Sequence, residues 1–452
     1  MSSKTAEPTT WLPDCIPMTK AEFATVSSIF TVGALAGALC AGPFTSKRGR
    51  LPAMRLTALF FIVGAVVETL AGSIPIIALG RLVTGAGAGA STVIVPLYIS
   101  EIAPPRERGL FGAMTQVSIN VGILATQTLG YFLSYGGAWR WILAVGVCLA
   151  VAQGVGLLLI PESPAWSAAN GDVPSAKRTL QRIRGRTTDI KAEVDAWDAV
   201  GGDSAAEEEG LLSQPMDSAT GNPPTPTTTR GPPVHLGFMQ VVRDPLYRPA
   251  IAAVVGIQFA QQFCGINSII MYSVSLLDGL LPVSSALITI LISIVNLFLT
   301  VACSPLPDRL GRKTCLLISV IGQGSSSLVF ALSVMYGIKI LSALSVLFFV
   351  GFFAVGLGPV PFILASELVG QEAVGATQSW SLSANYVATF LVAQFFPIVN
   401  AALNDTLGGA GWVYFIFAGL AALSATFIFW RVPETRGKKD ADEVWGRTRR
   451  ID

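Results

Sequence analysis

The chain has 452 residues, 52% of them hydrophobic and only 13% charged, with a formal net charge of +2. That leaves too little polar surface for a soluble globule of this size, and the balanced charge gives no footprint for nucleic acid as a partner. Six scattered Cys and a single histidine, His235, likewise exclude a disulfide framework, a zinc site or a histidine proton relay.

Residues 1–20 carry Lys4, Glu7, Asp14 and Lys20 and no long apolar core, so they read as a polar segment and not as a signal peptide. A membrane-spanning helix needs about 20 mostly apolar residues. The first bundle, 21–160, holds five such stretches, at 25–44, 54–71, 75–98, 110–133 and 141–160. Residues 161–249 form a polar connection. From Val173 to Trp197, Ala176, Leu180, Ile183, Ile190, Val194 and Trp197 recur at spacings that suit an amphipathic helix. The connection then turns acidic at Glu207-Glu208-Glu209 and Pro/Thr-rich over 214–233, a composition that predicts disorder. A second bundle, 250–430, holds six spans, at 250–277, 284–303, 315–335, 341–364, 383–403 and 412–430, followed by a cytosolic tail, 431–452.

Short marks recur in the same order in both halves. Ser46-Lys47-Arg48-Gly49-Arg50 returns about 260 residues later as Asp308-Arg309-Leu310-Gly311-Arg312-Lys313. Glu101 with Gly109 is answered by Glu367 with Gly375, and Pro161-Glu162 by Pro433-Glu434. Two similar hydrophobic halves are the signature of a secondary transporter, whose substrate site lies between them near the middle of the bilayer. Basic residues follow the odd-numbered spans, at Lys47, Arg48, Arg50, Arg55, Arg106, Arg108, Arg309, Arg312 and Lys313, which places those ends in the cytosol. Matching the marks leaves the first half one span short, because two spans precede Asp308-Arg309 in the second half and one precedes Ser46-Lys47. A shortened reading frame and a natural eleven-helix protein both fit that count.

Gln261-Gln262-Phe263-Cys264-Gly265-Ile266-Asn267 resembles a motif of the sugar porter family of the major facilitator superfamily. Gly80-Arg81, Pro161-Glu162-Ser163-Pro164-Ala165-Trp166 and Pro433-Glu434-Thr435-Arg436-Gly437 carry the same resemblance, which runs from Thr25 nearly to the end. The overall texture is closest to fungal members associated with the vacuole. The resemblance implies an all-α polytopic membrane protein with two pseudo-symmetric bundles, here with about 11 transmembrane helices where the family has 12. It also implies a rocking carrier of a hexose-like monosaccharide, with no enzyme chemistry and no cofactor.

Sugar hydroxyls need groups that donate and accept at once, and in a dry site a missing partner is expensive. Gln116, Gln127, Gln261, Gln262, Asn267, Asn296 and Asn385 are such amides, all within apolar runs. By the resemblance, Gln116 belongs to the first-half wall of a sugar cavity and the others, Gln127 excepted, to the second, with Phe362 and Tyr386 on an aromatic surface. Gln127 reads as an amide that joins helices. Gln261 and Asn267 stand about 240° apart on an ideal helix and so do not share one face; a break near Gly265 could bring them together.

The resemblance further implies a cytosolic gate of opposed charges, Arg50, Glu101, Arg108, Asp308, Arg309, Arg312, Glu367, Glu434 and Arg436, that holds that side shut. Ser46, Ala165 and Val374 stand where the family pattern has charges, and Met271, Phe362 and Tyr386 depart from its aromatic pattern. The absent span carries the titrating Asp of proton-coupled members. Glu68, the one acid well inside a span, lies close to the far end and is expected to be exposed, so transport is expected to be facilitated and uncoupled.

Glu207 with Leu211 and Leu212 resembles an acidic dileucine sorting signal. It implies a sorting adaptor at the central loop and a vacuolar or endosomal membrane, with the plasma membrane as the alternative. The other expected partners are a small-molecule sugar and the lipid bilayer. Lost gate charges beside retained second-half amides leave two rival readings: a non-transporting sugar sensor or sorting-related relative, and an inactive truncated product.

Overall fold

The computed structural model describes residues 13–104, 107–185, 188–191, 193–194, 237–269, 285–370, 373–438 and 441–446, and among these every regular element is a helix. The first bundle comprises α1 (Lys20–Arg48), α2 (Arg50–Thr69), α3 (Ile74–Ile102), α4 (Arg108–Leu133) and α5 (Trp139–Gly156). The connection opens with α6 (Pro164–Ala169) and α7 (Val173–Arg184) and resumes at α8 (Phe238–Arg243). The second bundle comprises α9 (Arg248–Phe263), α10 (Ser285–Cys303), α11 (Leu306–Leu310), α12 (Arg312–Met335), α13 (Lys339–Val355), α14 (Val360–Glu367), α15 (Val374–Leu407) and α16 (Trp412–Arg431), and α17 (Ala441–Val444) lies in the tail.

Ten helical stretches among the described residues are long and apolar enough to cross a membrane, with α13 and α14 counted as one. The eleventh long helix, α4, carries Gln116, Asn120 and Gln127, which hold its hydropathy down. Several expected boundaries move. The amphipathic helix ends at Arg184, where Gly185 takes a φ of 96°, and Arg184 ties it beneath α3 by donating to the Ile102 carbonyl at 2.7 Å. The expected span 341–364 unwinds at Gly356-Leu357-Gly358-Pro359. A Cβ on Gly356 would overlap the Cys315 carbonyl, so bare backbone lets the unwound turn rest against α12. The expected span 383–403 starts earlier, at Val374.

At the start of α1, Thr19 and Glu22 form a reciprocal cap, with the Thr19 N–H donating to Glu22 Oε2 at 2.8 Å. Those bonds from Thr19 hold the Glu22 carboxyl below its ordinary range. Farther along, Gly33, Gly37, Gly85 and Gly89 let α1 and α3 meet backbone to backbone, the close approach that small residues permit between membrane helices.

The repeat seen in the sequence is a repeat of structure. The two bundles meet along two seams, α1 against α15 and α4 against α10. If α1 corresponds to α10 and α4 to α15, each seam is the other's image under a pseudo-dyad. The match extends to atoms. Gly49 (φ 97°) opens α2 and Gly311 (φ 99°) opens α12. Glu162 accepts from the Arg50 and Leu51 N–H groups, and Glu434 from those of Arg312 and Lys313. Each acid thereby satisfies free donors at a helix N-terminus. In the second bundle α9 packs on α15 and α16; among the described residues no helix fills the corresponding place on α4 and α5.

A Cβ on Gly49 would lie 2.5 Å from Glu162 Oε2, in a backbone region that only glycine occupies freely. Gly49→Ala is therefore expected to cost about 1–3 kcal/mol in strain, and more through displacement of Glu162. Thermal unfolding in detergent measures it. Gly437→Ala is the control, because its φ is also positive (76°) but nothing lies near its would-be Cβ.

Candidate functional site

The buried and half-buried amides fall into two groups. The first joins α9 to α15 inside the second bundle. Asn385 Nδ2 donates to Gln258 Oε1 at 2.7 Å and to Gln261 Oε1 at 2.6 Å, and Gln258 Nε2 donates to Ser381 Oγ at 2.9 Å. Gln262 Nε2 donates to Gln261 Oε1 at 3.2 Å, and Asn267 Nδ2 reaches back to Gln262 Oε1 and to Thr389 Oγ1. The return of Asn267 depends on the expected break: α9 ends at Phe263, and Gly265 turns the chain with a φ of 98°. A Cβ there would sit 2.8 Å from the Phe417 ring, so α16 packs directly on the bare turn.

Gln261 Nε2 also donates to the Leu357 carbonyl, while the Leu357 N–H donates to Ser319 Oγ at 3.0 Å. The unwound turn between α13 and α14 thus satisfies its backbone with side chains, as irregular backbone inside a membrane must. Gln116 of the first bundle lies against the same turn, since a Cβ on Gly358 would be 3.3 Å from its Cγ.

The second group bridges the α4/α10 seam. Gln116 Nε2 donates to Asn120 Oδ1 at 3.1 Å, Asn120 Nδ2 to Thr300 Oγ1 at 2.8 Å, and Asn296 Nδ2 to Asn120 Oδ1 at 3.4 Å. Asn296 therefore sits with Gln116 and apart from the α9 amides. Gln127 accepts from Ser293 Oγ of α10, a bond that joins helices. Tyr386 reaches the first bundle, its hydroxyl 2.9 Å from Thr92 Oγ1, and Phe362, like Tyr386, packs against a cluster made mostly of first-bundle residues together with Leu382.

The charged residues at the basic end form two matching nodes. Arg50 bonds Glu101 through Nε and Nη2, with both side chains almost fully buried, at 5% and 3% exposure. Arg312 bonds Glu367 at 2.9 Å and Asp308 at 2.8 Å. Each arginine also donates from Nη1 to a carbonyl five residues back, Thr45 at 3.2 Å and Pro307 at 3.1 Å. These three ion pairs lie within a bundle and not across the seam, so they do not themselves bridge the two bundles. Arg309 and Arg436 are exposed, with no side-chain ion pair among the described residues, and the side chain of Arg108 lies outside the described residues. What meets across the seam is small: a Cβ on Gly42 of α1 would stand 2.5 Å from Ser379 Oγ and 3.0 Å from the Gly375 carbonyl of α15.

Glu68 overturns its expected exposure. It is 5% exposed, accepts from Thr84 Oγ1 at 2.6 Å and lies 3.7 Å from Arg81 Nε. Gly64 and Gly80 bring α2 and α3 close enough to enclose it.

Sequence reasoning missed Asn120, Thr300, Gln258, Ser381, Thr389 and Thr92. Helical spacing held a signal for three of them: Asn120 follows Gln116 by one turn, Thr300 follows Asn296, and Gln258 precedes Gln261. Glu207, Leu211 and Leu212 lie outside the described residues. No group of His, Cys, Asp and Glu among the described residues could hold a metal ion.

Known proteins resemble this chain in sequence and in fold. A probable metabolite transport protein of Saccharomyces cerevisiae is 34% identical over 435 residues, 96% of this chain and 84% of that one. The vacuolar protein sorting-associated protein 73 of the same yeast is 30% identical over 434 residues, covering 94% and 85%. The glucose transporter GlcP of Staphylococcus epidermidis is 30% identical over 432 residues, covering 94% and 88%. The proton:xylose symporter XylE of E. coli, bound to 6-bromo-6-deoxy-D-glucose, shares the fold with a TM-score of 0.78 at 24% identity, over 95% of this chain and 90% of that one. The family described as sugar (and other) transporter matches residues 2–444. With its spans, paired bundles and that match together, this chain is an integral multi-pass membrane protein of the sugar (and other) transporter family.

Proposed function

We propose that the chain carries a hexose-like monosaccharide across its membrane by alternating access, without coupling to protons. The observation that carries this reading is the amide network of buried Gln258, Gln261 and Gln262 with half-buried Asn267 and Asn385, satisfied by its own members, nearby hydroxyls and one backbone carbonyl. An amide donates and accepts as a sugar hydroxyl does, so a sugar can exchange into the network bond for bond. Gln116, Asn296, Phe362 and Tyr386 complete the site from the seams.

The seam at the basic end supports alternation. Ser379 Oγ of α15, which meets Gly42 of α1, is buried there without a hydrogen-bond partner among the described residues. Such an orphaned group costs about 1–3 kcal/mol, which water repays when the seam opens. Closure is thus only modestly favoured, as a two-state carrier requires. Arg50, Glu101, Glu162 and their counterparts Arg312, Asp308, Glu367 and Glu434 brace each bundle as a rigid body that rocks. Glu68 is held by Thr84 and Arg81 between α2 and α3, away from the amides, and this supports uncoupled movement.

Reconstituted in proteoliposomes, the wild type should take up labelled D-glucose without acidifying the lumen. Gln261→Leu and Asn385→Leu should each lower uptake at least about tenfold, because the amides left behind lose partners in a dry site. Gln127→Leu should stay near wild type. No uptake, or uptake indifferent to all three changes, overturns the reading.

The vacuolar or endosomal address is part of the proposal. It draws on Glu207, Leu211 and Leu212 as an adaptor signal and on the similarity to the yeast vacuolar protein sorting-associated protein 73. Leu211→Ala with Leu212→Ala should move a tagged protein to another membrane. An unchanged distribution removes the adaptor.

A further inference from the structure

We infer that Asn120 is a positioning residue for sugar recognition: it ties up the amide donors of Gln116 and Asn296 across the α4/α10 seam, and sugar gains those donors by displacing it. The inference rests on the sugar-carrier reading above and goes beyond it in naming what the sugar must replace.

Asn120 is 2% exposed, on the face of α4 that meets α10. Its Oδ1 accepts from Gln116 Nε2 at 3.1 Å and from Asn296 Nδ2 at 3.4 Å. A carbonyl oxygen has two lone pairs, so this one is fully engaged. Asn120 Nδ2 donates to Thr300 Oγ1 at 2.8 Å, and Thr300 Oγ1 donates in turn to the Asn296 carbonyl at 2.8 Å. Gln116 and Asn120 stand one turn apart on α4, and Asn296 and Thr300 one turn apart on α10. The four side chains form two facing rungs that join the bundles.

The two amide groups differ in what rocking does to them. The α9/α15 network lies in one bundle and can persist while the bundles move. The Asn120 rungs cross between bundles and must break when the seam parts. A neighbouring cavity of about 20 Å³, lined in part by Gln127, Thr289, Ser293 and Asn296, has room for one water and none for a sugar. Both amide donors are already held by Asn120 Oδ1, so sugar can take Gln116 and Asn296 together only after Asn120 lets go. In the empty carrier Asn120 stands in for sugar hydroxyls, which spares both amides an unsatisfied state and lets the seam close without cargo.

Asn120→Val removes the bonds at similar volume, and Asn120→Ser, too short to reach either amide, is the second variant. In proteoliposomes each should lower the KM for D-glucose roughly fivefold, the factor of about one net hydrogen bond. Vmax should fall as well, because the empty carrier closes this seam less readily. Gln127→Leu, which removes a different bond across the same seam and leaves Asn120 with its partners, should keep KM near wild type. An unchanged KM in both Asn120 variants, whatever their Vmax, overturns the inference, and so does a raised KM, which would make Asn120 a direct sugar contact. Failure of both variants to reach the membrane would mark Asn120 as purely structural and overturn it too. A wild type that carries no sugar defeats the carrier reading itself, an outcome distinct from all of these.

Discussion

Glu101→Gln is expected to destabilise the folded chain by about 3–5 kcal/mol, because it leaves the Arg50 guanidinium buried without a counter-charge. Arg50 and Glu101 are 5% and 3% exposed and bonded through two guanidinium nitrogens, so little water can take the place of the lost carboxylate. The matching change in the second bundle, Glu367→Gln, should cost distinctly less. Arg312 keeps Asp308 at 2.8 Å, and Glu367 is 27% exposed. A second comparison separates charge from packing. Replacing both members of the first pair, Arg50→Met with Glu101→Leu, should recover much of the loss, since removing a buried pair whole strands no charge. Thermal unfolding of the four proteins in one detergent measures this. Equal losses at Glu101 and Glu367, or a double variant worse than Glu101→Gln, would contradict the account.

Gly42→Leu is expected to prop open the basic end while leaving each bundle intact. Even a methyl group at Gly42 meets Ser379 Oγ at 2.5 Å and the Gly375 carbonyl at 3.0 Å, and a backbone carbonyl cannot swing aside. Overpacking of this kind costs about 1–3 kcal/mol in the closed state, which moves the balance of open and closed forms roughly 5- to 150-fold. A cysteine at Ser379, fully buried in the closed seam, reports the shift. Maleimide applied from the basic side should label Ser379→Cys at least about tenfold faster when Gly42→Leu is also present, and sugar uptake should fall in parallel. Unchanged labelling would mean that the α1/α15 contact does not set closure.

Much of the fold was legible in the sequence. Apolar runs of bilayer length marked the spans, because lipid demands them wherever a helix crosses. The recurrence of Gly49-Arg50 as Gly311-Arg312, and of Glu101 as Glu367, marked two equivalent halves, and the structure reproduces that equivalence in the capping bonds of Glu162 and Glu434. The turn at Gly265 answers the mismatch of faces that helical arithmetic gives for Gln261 and Asn267. The boundaries of α14 and α15 did not follow, because the unwinding at Gly356-Leu357-Gly358-Pro359 depends on what Ser319 and Gln261 offer its backbone from other helices.

The sequence by itself determined the spans, their pairing into two like bundles and the amide types buried within them, since each of these is written in residues near one another along the chain. Only the tertiary structure decided which partners those residues meet. Arg50 and Arg312 turned inward to acids of their own bundle, Glu68 was enclosed by the close approach of α2 and α3, and Asn296 joined Gln116 through Asn120 and not the amides of α9. The reason is physical: a buried polar group takes the partner that packing brings within about 3 Å, and that distance is set by helix crossings between segments far apart in the chain.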